Sequence, residues 1–157
     1  MYDHILNLLP YKSSFRFVDE ITSLDANGVA GNYTLKKDSF FYKDHFPGNP
    51  VTPGVIITEI MAQTGLVVLG IYLISTEKKR KSVGHDENIL PLLTSTEVSF
   101  YKMVLPGEKV TIISKKQYFR FNKLKCYIEM VNEGGELIAR GTFSGIMKQL
   151  SLNQVPL

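Results

Sequence analysis

The sequence predicts an α+β fold in which a curved antiparallel sheet wraps around one long central buried helix. The first sign is the stretch from Gly54 to Ile74, apolar almost without break; a helix apolar on every side has to be covered on every side. The second is the segment 122–131, where Leu124, Cys126, Ile128 and Met130 alternate with polar residues, the period of a strand with one buried face. The third is the order of segments, hairpin, loop, helix and then an antiparallel meander. A lone helix of this kind is buried by a sheet laid around it.

Residues 3–9 are amphipathic and stop at Pro10, which predicts a short helix. Residues 14–24, with Phe15, Phe17, Val18 and Ile21 apolar, read as a first strand. Asp25-Ala26-Asn27-Gly28 has turn chemistry, and residues 29–35 return as the second strand. Phe40, Phe41, Tyr42 and Phe46 form an aromatic cluster ahead of the helix. Residues 75–88 are polar and predict a loop, with His85 a surface residue and Lys78-Lys79-Arg80-Lys81 a basic run. Residues 89–105 carry Leu90, Leu92, Leu93, Val98, Phe100 and Tyr101 as far as the turn Pro106-Gly107. Strands over 109–119, 122–131 and 136–147 follow, the last two joined by Asn132-Glu133-Gly134-Gly135. Lys123 and Lys125 fall on the solvent side, and residues 151–157 show no period and are expected to fray.

The chain of 157 residues has the size of a single domain spanning 1–157, with a core over about 8–148 and a tail at 149–157. A composition 44% hydrophobic and 21% charged argues against disorder. The single cysteine, Cys126, excludes an intrachain disulfide and fits a reducing cytoplasm. No cluster of metal ligands is legible, and neither metal nor cofactor is expected. The start MYDHILNLLP lacks a basic region and a cleavage site, so it does not read as a signal peptide. A net charge of +3 is too weak to argue for nucleic acid. The apolar stretch is long enough for a membrane span of about 20 residues. Thr58, Glu59, Gln63 and Thr64, with Gly65 and Gly70, favour a buried helix instead.

The chain is organised around residues 45–63, His45-Phe46-Pro47-Gly48-Asn49-Pro50-Val51-Thr52-Pro53-Gly54 followed by Val55-Ile56-Ile57-Thr58-Glu59-Ile60-Met61-Ala62-Gln63. Three prolines and two glycines before Val55 make a rigid irregular loop that carries one imidazole. Pro53 fits the first helical turn. Gly54 leaves its N–H uncovered at the positive end of the helix, an arrangement suited to polarising a carbonyl oxygen. Glu59 is an acid in an apolar helix, so burial should raise its pKa toward that of a general acid. Gln63, one turn on, is placed to hydrogen-bond it. The same residues also admit a plainer reading, in which His45 is a loop surface residue and Glu59 lies at the exposed helix edge.

HFPGNPVTPGVIITEIMAQ resembles the active-site segment of the hotdog-fold 3-hydroxyacyl-[acyl-carrier-protein] dehydratases, whose pattern is HFPGxPVMPG followed by a helical run to an acid and a nearby Gln. Thr52 replaces the usual Met, and the separation from His45 to Glu59 (59 − 45 = 14) equals the family's spacing. Leu9-Pro10, Phe15, Phe17 and Val18-Asp19 resemble the family's opening, so the likeness covers about residues 8–148. Tyr11 stands where the family commonly has His, and no role is assigned to it. Asp44 stands where the family usually has Gly.

The resemblance implies a hotdog fold and dehydration of 3-hydroxyacyl thioesters on acyl carrier protein, in fatty-acid synthesis or a related polyene or pigment pathway. It implies His45 as base, Glu59 as the acid acting on the hydroxyl, and Gly54 N–H as donor to the thioester oxygen. The Val51 carbonyl would orient His45, Gln63 would support Glu59, and Phe46 and Pro53 would complete the substrate-binding set. Phe40, Phe41 or Tyr42 would line the acyl tunnel or stay ordinary core. The family builds a homodimer by joining two sheets, either alone or as a trimer of dimers, and each site takes its His from one subunit and its acid from the other. The basic run 78–81 is either a solvated face or a docking patch for the acidic carrier. Glu59 in place of Asp argues against double-bond isomerisation. The rival readings are a hotdog thioesterase, which would not need His45, and a non-catalytic acyl-carrier-binding subunit, which would typically have lost His45 or Glu59.

Overall fold

The computed structural model describes residues 1–81 and 89–149. Six antiparallel strands form one sheet in the order β1-β2-β4-β5-β6-β3, with β1 Glu20–Leu24, β2 Gly28–Thr34, β3 Ile89–Phe100, β4 Lys109–Arg120, β5 Lys123–Asn132 and β6 Leu137–Gln149. One helix, Gly54–Lys81, lies against it, and a single helical turn, Asp3–Leu6, precedes the sheet.

The β1–β2 hairpin closes as its residues dictate. Asn27 N–H and Gly28 N–H both donate to Asp25 Oδ1, at 2.7 and 3.1 Å, an Asx turn. The first strand is shorter than the expected 14–24. Ser13–Phe15 forms a 3₁₀ turn, and β1 begins only at Glu20. The cause is a competing partner, because Phe15 O and Phe17 N–H are both taken by the side chain of Gln63, at 2.8 Å each.

The alternation in β5 has the expected consequence. Leu124, Cys126, Ile128 and Met130 are wholly buried against the helix. From Ile60 to Ile71 the helix is buried without interruption. It packs tightly on the sheet at Gly65, where a β-carbon would collide with the Ile128 side chain. Ser114 Oγ of β4 donates to Gly65 O at 2.8 Å. The helix widens into a π segment over Gln63–Val68, an irregularity frequent at functional sites.

Within this segment the Thr64 hydroxyl is buried and has no hydrogen-bond partner among the described residues. A desolvated hydroxyl without a partner costs free energy that an isosteric methyl does not. Thr64→Val is therefore expected to stabilise the protein by about 1 kcal/mol, read as a higher midpoint in urea unfolding with unchanged slope.

Other expectations are corrected. Residues 75–81 are helical rather than loop, since the helix runs on to Lys81. Thr76 Oγ1 donates to Tyr72 O at 2.8 Å. The run Lys78-Lys79-Arg80-Lys81 occupies the last turn, where cations meet the negative end of the helix dipole. His85 and residues 151–157 lie outside the described residues. The helix is buried as expected along its middle, while Val55 in its first turn is 77% exposed. Strand β3 ends at Phe100 rather than near 105. It is an edge strand with Leu90, Leu92, Leu93 and Phe100 all exposed.

Candidate active site

The loop before the helix is held by its own backbone. Phe46 and Asn49 exchange N–H···O bonds at 3.1 and 2.9 Å, and Val51 N–H donates to His45 O at 2.9 Å. Gly48 has φ +74, a conformation glycine adopts freely. The His45–Phe46 peptide is cis. His45 Nδ1–H donates to the Val51 carbonyl at 2.8 Å. A carbonyl can only accept, so the proton sits on Nδ1 and the lone pair on Nε2. The imidazole stacks on Phe46, with ring centroids 4.1 Å apart. Phe46 is itself 55% exposed. Asp44 is exposed beside it.

Thr52, the departure from the family pattern, is buried, and its hydroxyl lies 2.6 Å from the Tyr42 hydroxyl. Its N–H donates to Val104 O at 2.9 Å. The hydroxyl is thus satisfied by an aromatic neighbour supplied by the preceding segment.

Pro53 caps the helix and is buried, and Gly54 is its first helical residue. The first bonds of the helix run from Ile56 and Ile57 N–H to Pro53 O, at 3.0 Å each. That leaves the Gly54 and Val55 N–H groups unused by the helix, at the positive end of its dipole. Gly54 borders an open cavity of about 330 Å³, together with Val51, Thr52, Ile57, Phe100 and Tyr101. Phe100 lies 3.4 Å from where a Gly54 β-carbon would be.

Glu59 is half-buried and borders a second cavity, of about 170 Å³. Its other walls are Tyr11, Ala62, Leu66, Val67 and residues 91–93 of β3. Gln63, wholly buried, donates through Nε2 to Glu59 Oε1 at 2.9 Å. Burial raises the Glu59 pKa above the usual carboxylate value, and the bond from Gln63 pulls it partly back. The proton is held more tightly than on a solvated glutamate.

Within one chain the predicted residues therefore fall into two groups. Val51 and Gly54 border one cavity, with the His45 ring hydrogen-bonded to Val51 O, and Glu59 borders the other, with Gln63 hydrogen-bonded to it. Phe40 is exposed while Phe41 and Tyr42 are buried. None of the three borders either cavity, where Phe100, Tyr101 and Tyr11 stand instead. Sequence reasoning gives Tyr11 no role; its signal is its place directly after Leu9-Pro10, where the family commonly has His.

A six-stranded antiparallel sheet with a single long helix laid against it is the hotdog class. Solved structures share this fold. The dehydratase heterocomplex ApeI:P from Xenorhabdus doucetiae matches with a TM-score of 0.73 at 15% identity, over 92% of this chain and 90% of that one. A hypothetical thioesterase with coenzyme A from Streptococcus pneumoniae matches with a TM-score of 0.61 at 14% identity, over 96% and 100%.

The family model described as FabA-like domain matches residues 9–139, and the chain belongs to that family. It is 36% identical over 152 residues to the 3-hydroxyacyl-[acyl-carrier-protein] dehydratase FabZ of Caldicellulosiruptor saccharolyticus, covering 90% of this chain and 95% of that protein. The protein of the same name from Chlamydia trachomatis serovar L2 is 32% identical over 145 residues, 91% and 89% covered.

Proposed function

We propose that this protein removes water from 3-hydroxyacyl thioesters carried on acyl carrier protein, giving trans-2-enoyl thioesters in fatty-acid synthesis. It is a hydro-lyase. The observation that carries the reading is the imidazole of His45, fixed through Nδ1 on the carbonyl of Val51, a residue that borders the same cavity as Gly54.

Elimination needs a base at C2, an acid at the C3 hydroxyl and a donor for charge building on the thioester oxygen. His45 Nε2 takes the C2 proton. The Gly54 N–H, at the positive helix end, donates to the thioester oxygen. Glu59 protonates the C3 hydroxyl, which leaves as water. Gln63 fixes one carboxyl oxygen and so aims the other. Phe46 stacks on His45, and Pro53 sets the start of the helix.

The working unit is a homodimer of single-domain chains in the cytoplasm. Strand β3 supports this, because nine of its twelve residues are exposed, Leu90, Leu92, Leu93 and Phe100 among them, and such an edge forms a template for pairing with another strand. A second copy of β3 covers it by an isologous contact.

The test mixes the purified protein with a 3-hydroxyacyl thioester on carrier protein, and separately with the matching trans-2-enoyl thioester, and follows enoyl absorbance. Interconversion in both directions is expected. Release of free thiol without enoyl formation would make the protein a thioesterase, and no reaction over several chain lengths would leave a carrier-binding subunit.

A further inference from the structure

We propose that Tyr11 is a further catalytic residue, whose hydroxyl hydrogen-bonds the oxygen leaving C3 while Glu59 supplies the proton. The inference rests on the dehydratase reading and deepens it. The cavity that Glu59 borders is otherwise apolar, walled by Ala62, Leu66, Val67 and residues 91–93, and among the described residues that wall it Tyr11 alone carries a side-chain hydroxyl. Its volume of about 170 Å³ accepts C3, its oxygen and the next few chain atoms, at roughly 30 Å³ for a water-sized group. A hydroxyl leaving C3 toward Glu59 therefore enters a space in which two groups, the carboxyl and the phenol, offer hydrogen bonds.

The phenol is held in place. Gln63 grips Phe15 O and Phe17 N–H. Tyr11 packs on Phe15 at 6.2 Å between centroids, Phe15 on Phe17 at 5.0 Å, and Phe17 on Tyr33 of β2 at 5.6 Å. The same Gln63 amide bonds Glu59 Oε1, which leaves Oε2 as the oxygen for the substrate. One side chain thus sets both polar walls of the cavity.

The protons and electrons balance without Tyr11 changing its ionisation. The C2–H pair becomes the C2=C3 double bond as its proton passes to His45. The C3–O bond breaks with its pair on oxygen, and the Glu59 proton completes water. Tyr11 donates a hydrogen bond throughout and keeps its own proton. Burial, and then the charge of Glu59, push its pKa well above that of free tyrosine, so it remains a donor at every working pH.

Tyr11→Phe removes the hydroxyl and keeps the ring packing. Dehydration and hydration kcat are both expected to fall about ten- to a hundredfold, with KM within about twofold of wild type. Tyr11→His, which restores a donor, is expected to recover most of the loss. An unchanged kcat in Tyr11→Phe, or a raised KM with kcat intact, would overturn the proposal and make Tyr11 a wall of the acyl pocket. So would Tyr11→His falling as far as Tyr11→Phe. If the wild-type protein itself converts no 3-hydroxyacyl thioester, it is the dehydratase reading that fails.

Discussion

Glu59→Gln is expected to abolish turnover while making the folded protein more stable at neutral pH. Proton transfer by a positioned group contributes about 10²–10⁴-fold to rate, and glutamine has no proton to give. His45→Ala, lacking the base, is expected to lose a similar factor. The stability effect has the opposite sign because burial raises the Glu59 pKa in the folded state. A carboxyl raised on folding is disfavoured as an anion, so the protein is more stable with it protonated, and that stability is lost as pH rises through the folded pKa. The substituted amide keeps an oxygen for Gln63 Nε2 without the charge. The variant should melt above wild type at pH 7, and the gap should close below about pH 4, where glutamate is protonated in both states. In the wild type the same titration removes the acid, so the dehydration rate should decline on the alkaline side of the Glu59 pKa. A variant that is inactive and also less stable at neutral pH would point to a structural role for Glu59. A variant that retains near-wild-type turnover would remove Glu59 from the mechanism.

Much of the fold was legible because its signals are local. The period of Leu124, Cys126, Ile128 and Met130 and the turn residues at 25–28 act within a few positions, and both behave as their chemistry demands. One error came from a partner far away in sequence. Phe15 and Phe17 look like strand residues, but Gln63, 48 and 46 positions away, takes their backbone groups. The helix runs past Ile74 because a basic run that looks like loop also caps a helix C-terminus. Within the site, the bond from Gln63 to Glu59 follows from a helical spacing of four, while the bond from His45 to Val51 O was implied by the family resemblance alone. Tyr11 was not legible, because only the folded chain carries it to the wall of the cavity that Glu59 borders.

Mixing two inactive variants is expected to restore activity. Strand β3 reaches both half-sites, since residues 91–93 wall the Glu59 cavity while Phe100 walls the Gly54 cavity. If two copies of β3 pair antiparallel about a two-fold axis, residue 92 of one chain falls beside residue 100 of the other when the axis lies near residue 96, the midpoint of the two ((92 + 100)/2). The Glu59 cavity of one subunit then faces the His45 loop of its partner. In a dimer of His45→Ala with Glu59→Gln, one site loses both groups and the other keeps both. Random reassociation makes about half of the dimers mixed, each with one intact site, so roughly a quarter of wild-type activity should return. The mixture would be unfolded and refolded together, or the two chains coexpressed, and assayed against each variant alone. If the two residues met within one chain, mixing would restore nothing. A charge placed on the exposed edge, as in Leu92→Lys, should abolish dimer and activity together, because it puts two buried cations on a surface that needs apolar cover.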